Sequence, residues 1–266
     1  MRTNLKSNKY LRSKRSRILE KIETRNLGLL TKVLTKVSCR RFHSYSAYGE
    51  DAVVHGILLR YKFIFKKSLE VSYLDIGAWK PIQDSNTYFL YKLGKQGTAI
   101  EPNPNLVNQW RAVRPLDYFV NVGCSRNSVE KMSFFHKLAS SNTLSSDFAI
   151  SIESSQGYKV EATKEVPCMT LEKIVANHIE KFDLPYILDI DVEGMDFEVI
   201  QTFDFRFNRP VILIIEDMSK NNSTLNESLI HGFLTEKHFG LFARTAISSI
   251  YLDLNHELAT VASRIL

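Results

Sequence analysis

The sequence predicts an α/β domain of the doubly wound kind, and three observations carry that class. Short apolar strands alternate with helix-patterned segments through most of the chain. Four of those strands end in carboxylates, as at LDIG (74–77) and IIED (214–217). The last two strands, LFARTA (241–246) and SSIYLDL (248–254), follow each other with no room for a crossover helix. The expected sheet is mostly parallel and covered on both faces, with antiparallel strands at its C-terminal end. It occupies residues 42–266 as one domain, preceded by a basic, partly helical arm over 1–41.

The elements follow in order. Val53, Val54, Ile57, Leu58 and Tyr61 have helical spacing and predict a helix over about 47–62. VSYLDIGA (71–78) is the first strand, and a helix through 88–93 is closed by Gly94. GTAIEP (97–102) is the second strand, and a helix over 105–113 stops before Pro115. DYFVNVGCS (117–125) reads as a third strand and KMSFF (131–135) as a fourth with alternating character. Residues 137–163 are polar, Ser-rich and weakly periodic, so a long functional loop or lid is expected there. A strand end and a helix with Thr170 as N-cap come next. PYILDIDVEG (185–194) is a strand, 195–203 a helix, RPVILIIED (209–217) the most apolar strand, and 225–237 a helix.

Composition sets the limits. Hydrophobic residues at 44% and charged residues at 24% are ordinary for a globular chain. Eleven Gly, seven Pro and three Cys exclude collagen, low-complexity disorder and a disulfide scaffold. No apolar run approaches the roughly 20 residues of a membrane span. Cys39, Cys124 and Cys168 form no C-x-x-C or Cys/His cluster. They favour small buried hydrophobes in a reducing, cytoplasmic compartment over structural zinc.

Charge divides the chain. Residues 1–41 carry 13 Lys/Arg against two Glu, and residues 42–266 carry 22 Lys/Arg against 27 Asp/Glu. The net +6 therefore hides a basic arm on a mildly acidic body. Leu30, Val33, Leu34 and Val37 mark a short amphipathic helix in the arm, with Lys32 and Lys36 off its apolar stripe. Two readings follow: attachment to an anionic surface, either lipid headgroups or nucleic acid, or a solubilising extension that docks on the body or a second copy. Tyr10 is the sole aromatic among the basic residues, which gives little support to nucleic-acid stacking.

In an open α/β sheet, ligands bind at the carboxyl ends of the strands. The residues there are Asp75 and Gly77, Glu101, Asn121 with Gly123, Asp189 and Asp191, and Glu216 with Asp217. Carboxylates at four strand ends are costly to bury without partners, so packing alone is a poor explanation. The first strand carries D-x-G-A in place of G-x-G-x-x-G, and no G-x-x-x-x-G-K-[ST] occurs. The pyrophosphate cradle of a dinucleotide or nucleoside triphosphate is therefore missing. Glu101 stands about 25 residues beyond the first turn, where a ribose-binding acid belongs. A ribose without phosphates, in an acid-lined crevice, suggests S-adenosylmethionine, whose sulfonium and ammonium are cationic.

YSAYGED (45–51), the stretch YLDIGAWKPIQDSNTYFLYKLGKQGTAIEPNP (73–104), CMTLEKIV (168–175), LDIDVEGMDFEVI (188–200) and VILIIED (211–217) occur in that order. Together they resemble the FkbM family of S-adenosylmethionine-dependent methyltransferases, over about residues 44–217. The resemblance implies a Rossmann-like methyltransferase sheet and O-methylation of a hydroxyl on a sugar or glycan. It implies that Asp75, Gly77 and Ala78 form the turn beside the methionine moiety, with Asp189 near them. Glu101 would hold the ribose hydroxyls, Pro102 and Asn103 would shape the pocket edge, and Asn121, Val122 and Gly123 would border the adenine. Ser46, Glu50, Ser85, Asn86 and Thr87 match signature positions at the methyl-transfer, substrate end. Ala47 stands where the family commonly has Gln, and Asp189 where it often has Lys or Ser, which bears on substrate preference.

The acceptor alcohol must lose a proton during transfer. Asp191 or Glu193 in D-V-E-G is the expected base, with Glu193 alternatively capping the following helix. Glu216 and His136 are further catalytic candidates, His136 because it precedes the loop ASSNTLSS (139–146). Asp191, Glu216 and Asp217 form an oxygen-only set suited to Mg2+. Two other classes compete: a nucleic-acid methyltransferase recruited by the arm, and a binding protein with a decayed site.

Overall fold

The computed structural model describes residues 43–217 and 228–263. The arm, with its apolar stripe at 30–37 and Cys39, lies outside the described residues, as do 218–227. All elements below belong to the unit that begins at Ser44.

In chain order these are α1 (Glu50–Phe65), β1 (Ser72–Ile76), α2 (Tyr88–Lys92), β2 (Gly97–Ile100), α3 (Val107–Val113), β3 (Tyr118–Val120), β4 (Gly123–Cys124) and β5 (Val129–Phe134). They continue with α4 (Ser146–Gln156), β6 (Ala162–Met169), α5 (Leu171–Phe182), β7 (Tyr186–Ile190), α6 (Asp196–Ile200) and β8 (Ile212–Glu216). The chain closes with α7 (Leu229–Glu236), β9 (Phe239–Arg244), β10 (Ser248–Asp253) and α8 (Thr260–Ser263).

Seven strands form one sheet in the order β3-β2-β1-β7-β8-β10-β9. The first five are parallel, and β10 runs antiparallel to both β8 and β9. That is the mostly parallel sheet with an antiparallel C-terminal end that the pattern predicts. The chain winds outward from β1 through β2 to β3, then returns to place β7 on the other side of β1. The order thus reverses between β1 and β7, and a crevice opens there at the carboxyl ends of the strands.

Period-two alternation sorts the strand residues by face. Leu74, Ile76, Leu188, Ile190, Leu213 and Ile215 join the main core, with Leu171, Ile174 and Val175 of α5 and Ile230 and Leu234 of α7. Asp75 and Asp189, between those apolar positions, belong to the opposite face and stand directly abreast in register. Thr170 caps α5 through its hydroxyl, which accepts the Lys173 N–H at 3.4 Å.

Three expectations need correction. The strand expected over 117–125 is two pieces: β3 joins the main sheet, while β4 pairs with β6 in a second, three-stranded sheet of order β4-β6-β5. The break falls where the Asn121 amide turns to donate to the Glu101 carbonyl at 2.7 Å, which takes the chain off the sheet edge. The segment 137–163 is not one loop. It contains α4, capped by Ser145, whose hydroxyl accepts the Phe148 N–H at 3.2 Å. The helix expected over 195–203 is the shorter Asp196–Ile200.

Candidate active site

Asp75 and Asp189 sit side by side at the reversal point, and both are buried. Just beyond β1, Gly77 adopts φ +85°, and a Cβ there would lie 1.7 Å from the Asp191 carbonyl oxygen. Only glycine fits, so the turn after β1 and the turn after β7 touch at this residue. The Asp191 N–H donates to the Ile76 carbonyl at 2.9 Å, which fastens the same two turns.

Glu101 closes the next corner. Its carboxylate accepts the backbone N–H of Trp79 at 2.9 Å and of Asn103 at 2.6 Å. One acid thereby joins the turn after β1 to the turn after β2. The Asn103 amide donates to the Lys137 carbonyl at 2.8 Å, and the Trp79 indole to the Leu138 carbonyl at 3.1 Å. These bonds hold the segment after β5 over the crevice. Thr143 in that segment donates to the Glu193 carbonyl at 2.8 Å.

The result is a cavity of about 200 Å³. Its lining includes Glu50, Asp75, Asp84, Glu101, Asp189, Asp191, Glu193 and Glu216. No Lys, Arg or His is among the described residues that line it. Burial raises several of these carboxyls and that of the neighbouring Asp196. Glu101 is pushed up to about 7 and Glu193 to about 8, in both cases by burial before any charge effect. Glu216 is pushed up to about 8 and Asp196 to about 6, again by burial first and then by neighbouring acids. Asp189 and Asp191 are held well above the ordinary carboxylate range for the same two reasons. Such crowding stores a demand for positive charge or for protons.

Asp191, Asp196 and Glu216 bring carboxylate oxygens within 4.8 Å of one another. Asp217 is not part of this group, which corrects the set Asp191, Glu216 and Asp217. Successive strand residues face opposite ways, and Asp217 accepts the Ser228 hydroxyl at 2.9 Å and pairs with Arg244 at 3.5 Å. Asp196 replaces it. It accepts the N–H groups of Val192 at 3.1 Å and Gly194 at 3.3 Å, so Asp196, and not Glu193, organises the start of α6. Glu193 itself sits at φ +53°, a strained value for a non-glycine residue, and it faces the cavity.

The other sequence candidates divide. Gly77, Ala78, Pro102, Asn103, Gly123, Ser85 and Asn86 line the cavity with the acids. The Asn86 amide donates to Asp189 at 3.2 Å. Asn121, Val122, Ser46 and Thr87 do not line it. Asn121 is spent on the Glu101 carbonyl, and Ser46 donates to Asp51 at 2.8 Å within the turn before α1. Thr87 donates to Asp75 from behind. His136 is exposed and outside the lining, with its ring turned to the Leu138 N–H at 3.4 Å.

Of the aromatics that flank the signature motifs, Tyr48, Trp79 and Tyr88, which the sequence offers for sugar stacking or for packing, only Trp79 lines the cavity. Sequence reasoning did not single out Asn142 and Thr143 in the cavity wall, or Arg114 behind it. The Ser-rich string ASSNTLSS pointed to the first two. Nothing in the sequence marks Arg114, because a lone arginine before a proline reads as a solvated helix end. Cys124 and Cys168 are free and buried, as expected, and burial pushes the Cys124 thiol up to about 12.

Comparison with known proteins rests on one match. The family model for the methyltransferase FkbM domain covers residues 75–238, from Asp75 at the end of β1 to the turn before β9. No curated protein and no solved structure matches the chain. The matched span is more than half of the chain and contains the reversal point with all but one of the cavity's acids. The chain therefore belongs to the FkbM methyltransferase family.

Proposed function

We propose that the protein is an S-adenosylmethionine-dependent O-methyltransferase that acts on a hydroxyl of a sugar or glycan. The observation that carries the proposal is the eight-carboxylate cavity at the reversal point, with no basic side chain among its described lining residues. A cationic cofactor and a neutral acceptor suit that charge, whereas a phosphate-rich ligand does not.

S-adenosylmethionine supplies an electrophilic methyl group on a sulfonium. Asp75 and Asp189 supply carboxyl oxygens beside the glycine turn for the cationic methionine end. Glu101, two of whose lone pairs are committed to N–H groups, offers the remaining ones to ribose hydroxyls. Pro102 and Gly123 line the part of the cavity assigned to the base. Ser140, with Asn142 and Thr143, whose side chains are already bonded to the wall, gives the other side a neutral polar surface of the kind a sugar needs. When the cofactor is bound, its methyl group would pass to the acceptor oxygen, with the sulfur leaving as a neutral thioether. Glu193 takes the acceptor's proton, since a carboxyl pushed up to about 8 is close to the ideal strength for a base near neutrality. Asp191 is the neighbouring alternative.

The oxygen-only group Asp191, Asp196 and Glu216 fits Mg2+, and one Glu216 oxygen is buried with no hydrogen-bond partner. Bound there, the ion would neutralise crowded charge and stabilise an alkoxide. The basic arm supports peripheral attachment to an anionic membrane on the cytoplasmic side. No helix among the described residues is long and apolar enough to cross a membrane.

Methyl-labelled S-adenosylmethionine, with and without Mg2+ after chelation, tests the reading against glycans, glycolipids, nucleotide sugars and nucleic acid. Label is expected in a glycan acceptor and to fall after chelation. Label in nucleic acid instead would make the arm a recruiter of that substrate and overturn the glycan reading. Deleting residues 1–41 is expected to abolish binding to anionic vesicles and spare activity on a soluble acceptor.

A further inference from the structure

Behind the cavity wall lies a buried arginine. Arg114 is 1% exposed, and its Nε donates to Asp117 at 2.5 Å in a pair with both side chains fully buried. Asp117 is otherwise satisfied by the Tyr73 hydroxyl and the Gly97 N–H. The far end of the guanidinium turns the other way. Nη1 and Nη2 each donate to the Thr87 hydroxyl oxygen at 3.1 Å. The Thr87 hydroxyl then donates to Asp75 Oδ2 at 2.5 Å.

Donor arithmetic fixes the direction of this chain. A guanidinium only donates, so both lone pairs of the Thr87 oxygen are taken, and its single proton goes to the carboxyl oxygen at 2.5 Å in preference to the Ser85 hydroxyl at 3.5 Å. Asp75 Oδ2 receives it, so that oxygen is held as an acceptor and any proton on Asp75 is confined to Oδ1. Burial pushes the Asp75 carboxyl up, and the positive charge of Arg114 and the Thr87 hydrogen bond oppose that push. Asp189, abreast of it, gets an amide N–H from Asn86 and no cation. Two equivalent-looking acids at the reversal point are thus made unequal from behind.

We propose that Arg114 and Thr87 are positioning residues that hold Asp75 as the fixed carboxylate for the cationic end of the cofactor. This rests on the reading of the cavity as an S-adenosylmethionine site. It accounts for Thr87, a signature position that does not reach the cavity, as the relay between a buried cation and a cavity acid. Arg114→Met would strip Asp117 of its partner and fold poorly, so the Thr87 pair carries the test.

Thr87→Val keeps the shape and removes the relay, and Thr87→Ser keeps the hydroxyl. The full chain and both variants are titrated with S-adenosylmethionine by calorimetry, with thermal melts and steady-state kinetics alongside. Thr87→Val is expected to weaken cofactor affinity about tenfold or more, the usual scale for losing a hydrogen bond to a charged group. Its effect falls on the cofactor KM and spares the acceptor KM, and Thr87→Ser restores affinity to within about threefold by the same reasoning. If the wild-type chain binds the cofactor and folded Thr87→Val binds equally well, the inference is overturned while the cofactor reading stands. Equal loss in Thr87→Val and Thr87→Ser also overturns it, since packing and not the relay would then be responsible. If the folded wild-type chain binds no cofactor, the underlying reading has failed instead.

Discussion

Glu101 shows why a single strand-end acid is hard to interpret from sequence alone. Its position 25 residues after the first turn marks it for ribose, and on that basis Glu101→Ala is expected to weaken binding with stability nearly unchanged. The structure alters the second half of that expectation. Alanine would leave the N–H groups of Trp79 and Asn103 without acceptors in a buried corner, at about 1–3 kcal/mol for each group. Glu101→Ala is therefore expected to lower the melting temperature as well as the affinity. Glu101→Gln retains an acceptor oxygen and separates the roles: affinity should fall about tenfold or more, by loss of a charged acceptor, with a smaller change in melting. Calorimetric titration and thermal melts on the two variants check this. A Gln variant that binds like the wild type would show Glu101 to be structural. His136 and Asp217 make the same lesson in reverse, since their residue types suit the chemistry but one is solvated and the other is tied to Ser228 and Arg244.

The turns after β1 and β7 are the elements on which the site depends. Gly77 lets the first turn lie against the Asp191 carbonyl, and the β1–β7 register sets Asp75 against Asp189. Gly77→Ala is expected to cost stability by more than ~2 kcal/mol, from the left-handed conformation and the clash together, and to remove cofactor binding. Denaturant unfolding and titration check it; an alanine variant with unchanged stability would contradict the packing of these two turns. These elements were legible because both signals are local: a β-rich run ending in D-x-G, and another ending in D-V-E-G. The parallel strands, the closing antiparallel pair and most cavity acids could be read for the same reason. What escaped the sequence depended on distant partners. The β3–β4 break is set by Asn121 reaching back to Glu101, α4 sits in a segment with weak hydrophobic periodicity, and Arg114 is buried only because Asp117 and Thr87 surround it.

For the whole molecule, the crowded acids make stability depend on pH. In the folded chain Glu101 titrates at about 7 and Glu193 and Glu216 at about 8, against 4.5 for the free group. Between those limits the folded state holds protons that the unfolded state has released. Their stabilisation is therefore complete below pH ~4.5 and is lost as pH rises through about 7–8. The melting temperature of the ligand-free protein should fall from pH 6 to pH 9, and the fall should be shallower in a Glu193→Gln, Glu216→Gln double variant. Scanning calorimetry across that range checks it, and a flat or rising profile in the wild type would contradict the cluster's electrostatics. The same excess of negative charge suits the body to cations, while the +11 arm is the part proposed to meet anionic surfaces.

The most direct measurement is calorimetric titration of the full chain with S-adenosylmethionine, on protein shown to melt cooperatively. Saturable binding at one site per chain, weakened by Glu101→Gln, is the predicted result. A folded protein that takes up no S-adenosylmethionine would contradict the assignment of this acid-lined crevice as a methyl-donor site.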